Sequence, residues 1–303
     1  MARLAAIGGV LAGRGTCRCE VLLYGIKAGR THWFPVEQSH FLFLFYPVIG
    51  IILASLFVKY VVKDNISEGV TRVLYAMSRK NSYIAPHNCW TSVVGGATTI
   101  GFGGSVGPEA PIVLTGAAIG SNVSRLAHLN YKNTTLLLCC GAGAALAAIF
   151  KAPITGVVFV LEILMLDLTS RTVVPLLISS ITAAAIALTI RGFDPIIAIS
   201  LTPDDAFRRN QIPLFVLLGI FCGLMSYYFT TVNARVGAFF KKIDNPYKKW
   251  LIGGAVLGIL IYIFPPLYGE GYEGFMSLMH GNTTELFNNS LFYRFSQIDW
   301  VVI

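Results

Sequence analysis

Glu109 stands in the short run Gly107-Pro108-Glu109-Ala110-Pro111, behind Gly103 and Gly104 and ahead of the apolar stretch that opens at Ile112. Pro111 suits the first turn of a helix, where its missing N–H is no loss. The glycines let the backbone bend and come close to a ligand. A helix is therefore expected to begin near Glu109. Its unpaired amides and positive dipole end would attract an anion. A carboxylate tethered at that spot competes with a free anion for the same amides, and it swings away once it takes a proton. The chemistry on offer is gating and proton carriage. In a water-soluble chain an acid here would be an ordinary helix-start residue. In surroundings of low dielectric the attraction is less screened, and an acid inside a membrane points to function.

Two further residues invite the same question. Ser67, in Asp64-Asn65-Ile66-Ser67-Glu68-Gly69-Val70, offers a hydroxyl donor where another helix could start. By spacing alone it is better read as an N-cap, with Asp64 and Asn65 as rivals. Glu162 closes the run from Phe150 to Glu162, in which Pro153 marks a helix start. It fits either a cavity wall or the membrane boundary. Other chemistries find no support. H-E-x-x-H and G-x-S-x-G are absent, and His32, His40, His87, His128 and His280 are scattered. Cys17 and Cys19 have no second pair for a zinc site. Cys89, Cys139, Cys140 and Cys222 lie in or beside apolar segments, as buried unpaired thiols do. No metal, no cofactor and no enzymatic activity are expected.

The elements that must position these residues are those of a multi-pass membrane protein. Of 303 residues, 55% are apolar and 13% charged, about half the usual charged share of a soluble domain. Mean hydropathy is +0.67. The net charge of +8 does not point to nucleic acid, because the basic residues punctuate the ends of apolar runs instead of forming one patch. The clearest span is Phe41 to Val62, long enough at about 1.5 Å per residue to cross a core of about 30 Å. Lys59, Lys63, Arg72, Arg79 and Lys80 follow near its end, which places that end in the cytoplasm. Val173–Ile190 and Ile212–Val232 could each span, and Trp250–Phe264 with tilt. Thr134–Phe150 is long. Val93–Phe102, Ile112–Val123 and Ile154–Leu166 are short and broken by Gly or Pro. Such pieces start or stop inside the membrane, which is tolerated only where freed backbone is buried in protein or lines a wet cavity. Discontinuous helices of this kind belong to transporters and channels. In residues 1–40, Leu4–Gly13 is a signal-type apolar run, a poor first helix or a start unrelated to the fold. The apolar stretch opening in the last residues, Gln297 to Ile303, leads to the expectation that the chain is a fragment.

Taken together, the motifs resemble the CLC family of chloride channels and proton/chloride exchangers. Gly107-Pro108-Glu109-Ala110-Pro111 is similar to the family's G-[KR]-E-G-P. The run from Gly141 to Glu162, with Ala152-Pro153-Ile154 at its helix start, resembles the family's next helical pair. The resemblance covers about Phe41 to the end. It implies an all-α integral membrane protein built as an inverted repeat with discontinuous helices, the second half incomplete. Residues 41–192 would form the first repeat and 193–303 the start of the second. By the same resemblance Glu109 is the gating glutamate, and backbone around Gly107, Ala110, Pro111 and Ile112 helps hold chloride. Ser67 then answers to the inner serine of G-S-G-I-P. The implied substrate is chloride, the implied assembly a homodimer in lipid, and the implied location the plasma or inner membrane. Departures are plain. Ile66-Ser67-Glu68-Gly69-Val70 keeps only the serine, Pro108 replaces a basic residue, and Ala110 replaces glycine. Ile163 stands where exchangers carry an inner proton-relaying acid; an isoleucine carries no proton, so exchange coupling would need Glu162 beside it, or water, as the substitute. No G-x-F-x-P of the second repeat occurs. A carrier of another ion or solute that uses Glu109 as a cation or proton site is the alternative, with a non-conducting fragment beside it.

Overall fold

The computed structural model describes residues 42–63, 69–167, 169–192, 212–264, 267–271 and 275. These residues are helical, with α1 at Leu42–Phe57, α2 at Gly69–Arg79, α3 at Asn88–Gly101, α4 at Glu109–Leu126 and α5 at Tyr131–Phe150. They continue with α6 at Pro153–Ile163, α7 at Ser170–Arg191, α8 at Ile212–Lys241 and α9 at Pro246–Ile263. Among the described residues four segments are long and apolar enough to cross a membrane, namely Phe45–Val62, Tyr131–Phe150, Ser170–Ile190 and Ile212–Lys241. The protein is an integral membrane protein. Ser67 lies outside the described residues, as does the segment before α1.

Two of the three short apolar runs of the sequence become helices longer than those runs. The run Ile112–Val123 is the middle of the 18-residue α4, and Val93–Phe102 is the second part of α3. Within α4, polar side chains find partners inside the protein. Ser121 Oγ donates to the Ser82 carbonyl at 2.7 Å and accepts from the Ile84 amide at 3.2 Å. Asn122 Nδ2 donates to the Ala118 and Ile84 carbonyls. Polarity buried with partners costs little, so hydropathy alone understates these helices. With 11 residues, α6 is about 16 Å long and cannot cross the core. A left-handed Lys151 (φ 52°) ends α5, and its amide bonds to the Ala147 carbonyl. Pro153 then starts α6 two residues later.

The chain forms two compact units, Met1–Ile197 with Gly254–Ile303, and Ala198–Gly253. In the first, α5 is the central helix, buried from Leu136 to Ile149. Glycines bring its neighbours in to backbone contact. A Cβ on Gly116 of α4 would strike the Gly141 carbonyl, and one on Gly141 would strike the Gly116 carbonyl. Gly120 abuts the Leu137 carbonyl one turn on. On the opposite side Gly143 and Gly156 bring α5 and α6 together in the same way. Small-residue seams of this sort are how membrane helices gain packing energy, since lipid offers no hydrophobic drive between them. In the second unit α8 is 30 residues long, with large apolar side chains such as Phe215, Leu217 and Tyr227 exposed along it.

Candidate anion site

A cavity of about 470 Å³ lies where α4 begins. Its wall is made by Val70 of α2, Val106 and Gly107 of the approach loop, and Glu109, Ala110 and Val113 of α4. Leu146 and Phe150 of α5 and Thr155 and Phe159 of α6 complete it. Three helix N-termini, those of α2, α4 and α6, therefore border one space. The closeness is tight between two of them, because a Cβ on Gly69 would strike the Ala110 carbonyl. Each N-terminus contributes partial positive charge. The C-terminal end of α5 brings the opposite sign, and Lys151 follows it at once. Its ammonium donates to the Gly192 carbonyl at the end of α7, 2.9 Å away. A fixed cation thus stands beside two helix C-termini that would otherwise repel an anion.

Glu109 is the first residue of α4 and the one charged side chain in the cavity wall among the described residues. Its carboxylate is folded back over Gly107, where any Cβ would collide with it. Apolar Val106, Phe150 and Phe159 line the same cavity.

The other expected residues divide. Gly107 and Ala110 join Glu109 in the wall. Pro111 turns to α3, where a Cβ on Gly96 would come within 3.0 Å of its ring. Ile112 does not contribute an amide. Its N–H donates to the Pro108 carbonyl at 3.2 Å, and its side chain packs on Ala145 and Ile149. Residues 108 and 111 are prolines and bring no N–H to this helix start. Glu162 is exposed near the end of α6 and is not part of the wall. Thr155 is a wall residue that spacing did not single out. It sits in the first turn of α6, and a hydroxyl two residues after a helix-starting proline is the signal that could have found it.

The comparisons with known proteins bear on this geometry. Residues 50–301 match the family model described as voltage gated chloride channel. The chain belongs to that family. It is 29% identical over 297 residues to the H(+)/Cl(-) exchange transporter ClcA of Vibrio vulnificus, covering 92% of this chain and 62% of that protein. The chain thus spans about three-fifths of the length of this curated relative. Its fold is similar to the crystal structure of a slow cyanobacterial Cl−/H+ antiporter, with a TM-score of 0.80 at 23% identity over 94% of this chain and 70% of the other. A CLC-type fluoride/proton antiporter gives 0.75 at 25% identity, over 88% and 66%. The CLC-type helical membrane fold expected from the motifs is the fold observed.

Proposed function

We propose that the protein takes part in transmembrane chloride transport through a pore that Glu109 gates. The carrying observation is the Glu109 carboxylate folded over Gly107, in a cavity bordered by three helix N-termini. Deprotonated, the carboxylate occupies the place an anion would take. Protonated, it loses its attraction to the positive helix ends and vacates that place. The relative's name, an H(+)/Cl(-) exchange transporter, supports this assignment. The unit that works is a homodimer in lipid, with residues 41–192 as one repeat and 193–303 as the opening of the next. Ser67, which lies outside the described residues, is assigned to the inner anion site by its likeness to the family's serine.

The test is the reversal potential of the protein in planar bilayers under opposed chloride and sodium gradients. Currents that follow chloride are the expected result. Currents that follow sodium would replace it with a cation carrier. Proton coupling is read in the same preparation by adding a pH gradient. Uncoupled conduction is a second reading, favoured by Ile163 at the relay position and by the distance of Glu162 from the cavity wall. In that case a pH gradient does not displace the chloride reversal potential.

Gly107→Ala offers a prediction specific to the seat. The added Cβ meets the carboxylate itself, so the acid is retained while its resting place is blocked. Chloride binding, followed by isothermal titration, should tighten in the same direction as removal of the acid but by a smaller factor. A weaker chloride affinity in this variant would show that the carboxylate does not rest there as a competitor.

A further inference from the structure

At the opposite end of α4 from Glu109, three elements bring cations to one surface. Arg79 and Lys80 come from the end of α2, Arg125 from the last turn of α4 and Lys132 from the first turn of α5, and all four are exposed. Hydrogen bonds fasten these elements together. The Tyr131 hydroxyl donates to the Met77 carbonyl at 3.0 Å, and the Ser82 and Thr135 hydroxyls lie 2.6 Å apart. Tyrosines hold two of the cations. The Arg125 guanidinium stands 4.5 Å from the Tyr83 ring centre, and the Lys80 ammonium 5.9 Å from that of Tyr75. Between Gly69 and Leu161 the sequence holds one acid, Glu109, about 24 Å from Arg125 along α4 at the helical rise. Nothing nearby on those elements neutralises the patch.

The general bias of cytoplasmic loops toward Lys and Arg accounts for positive charge here. It does not account for the arrangement. Arg79 and Arg125 complement the C-terminal ends of their own helices. Lys132 does the reverse, standing in the first turn of α5, which has no acid in that turn and no side-chain cap. A cation there is disfavoured by the dipole and gains only from an external anion. The apolar surroundings add the second half of the signature. Leu126 is 83% exposed, and Tyr75, Tyr83 and Tyr131 are exposed beside it. The spanning helix α5 starts at Tyr131, which sets the patch at the level where bilayer meets water. Amphipathic rings and cationic side chains together fit that boundary.

We propose that this surface binds the headgroup phosphate of an anionic phospholipid, with Arg125 and Lys132 as its principal contacts and Leu126 against the acyl chains. The test uses the purified protein in detergent with phosphatidylglycerol and phosphatidylcholine in equal amounts, and native mass spectrometry to count retained lipid. The intact protein should retain phosphatidylglycerol preferentially. Arg125→Gln and Lys132→Gln should each lower that preference about fivefold, as expected for one cation at a charged membrane surface. Arg125→Lys should restore most of the loss. Lys242→Gln removes equal charge from an exposed position elsewhere and should leave the preference intact. Equal losses in the patch and control variants would reduce the effect to bulk charge and overturn the site. Undiminished preference in the Arg125 and Lys132 variants would do the same. Displacement of the lipid by millimolar inorganic phosphate would show a phosphate site with no role for the acyl chains, and would overturn the lipid assignment.

Discussion

Glu109→Ala is expected to raise the apparent chloride affinity about tenfold and to flatten the response of flux to pH. The size follows from tethering. A carboxylate one side chain away from its seat has a very high local concentration there. If it occupies the seat about nine times in ten, only about a tenth of the molecules are open to chloride, and apparent affinity falls by the same factor. Removing the carboxylate restores the full fraction. The sign with pH follows from charge. Acidification neutralises the carboxylate, and a neutral group is no longer drawn to the helix ends, so the open fraction and the flux rise as pH falls. No other charged side chain lines the cavity among the described residues, and the alanine variant should lose the response. Glu109→Gln should behave similarly, though its amide can still occupy space. The measurements are chloride titration by calorimetry and chloride efflux from vesicles across a pH series. A pH response that survives in both variants would remove Glu109 from the gating role.

The sequence made this residue legible because a Pro-flanked acid behind glycines at the head of an apolar run has few structural uses. The same features carried the start of α4 to the residue, and Pro153 did so for α6. What hydropathy did not show was the reach of α3 and α4. Asn88 and Ser124 lie outside the short apolar runs, yet both are fully buried and belong to helices. Ser124 bonds back to the Ser121 carbonyl and Asn88 to the Ala85 carbonyl, whereas Ser121 reaches the Ser82 carbonyl 39 residues away, and no local pattern records so distant a partner. The turn at the start of α4 escapes the local pattern for a related reason. The motif marks where a helix starts, but which amides remain unpaired depends on the turn that forms, and here the Pro108 carbonyl takes the Ile112 amide. Thr155 and the phenylalanines of the cavity came together only through the folding of α6 back onto α5. The sign that could be read in advance was the density of small residues in Gly141–Ala148, which announces close helix packing without naming the partner.

Gly141→Leu is expected to abolish the folded form, and Gly141→Ala to destabilise it clearly despite favouring the helix. In isolation, alanine for glycine inside a helix gains about 1 kcal/mol. At Gly141 the added Cβ meets the Gly116 carbonyl, with the Gly120 amide nitrogen 3.2 Å away. These are backbone atoms, and no change of rotamer moves them. Relief requires α4 and α5 to part, and parting loosens the Gly120 contact with Leu137 one turn along. Overpacking of a tight core costs about 1–3 kcal/mol for modest additions, and a leucine adds three more carbons than alanine. That is a large share of a total stability of about 5–15 kcal/mol. Gly95→Ala is the control, since nothing lies within 4 Å of its added Cβ, and it should be neutral or slightly stabilising. Thermal unfolding in detergent, followed by the monodisperse fraction on size exclusion, separates the two. The site should feel the seam as well, because α4 carries Glu109 at one end and Gly116 two turns along. Where the alanine variant remains folded below its lowered midpoint, its chloride titration should show a weakened and broadened transition. A Gly141→Ala protein as stable as the parent would mean that α4 and α5 do not rely on this contact to hold the cavity in shape.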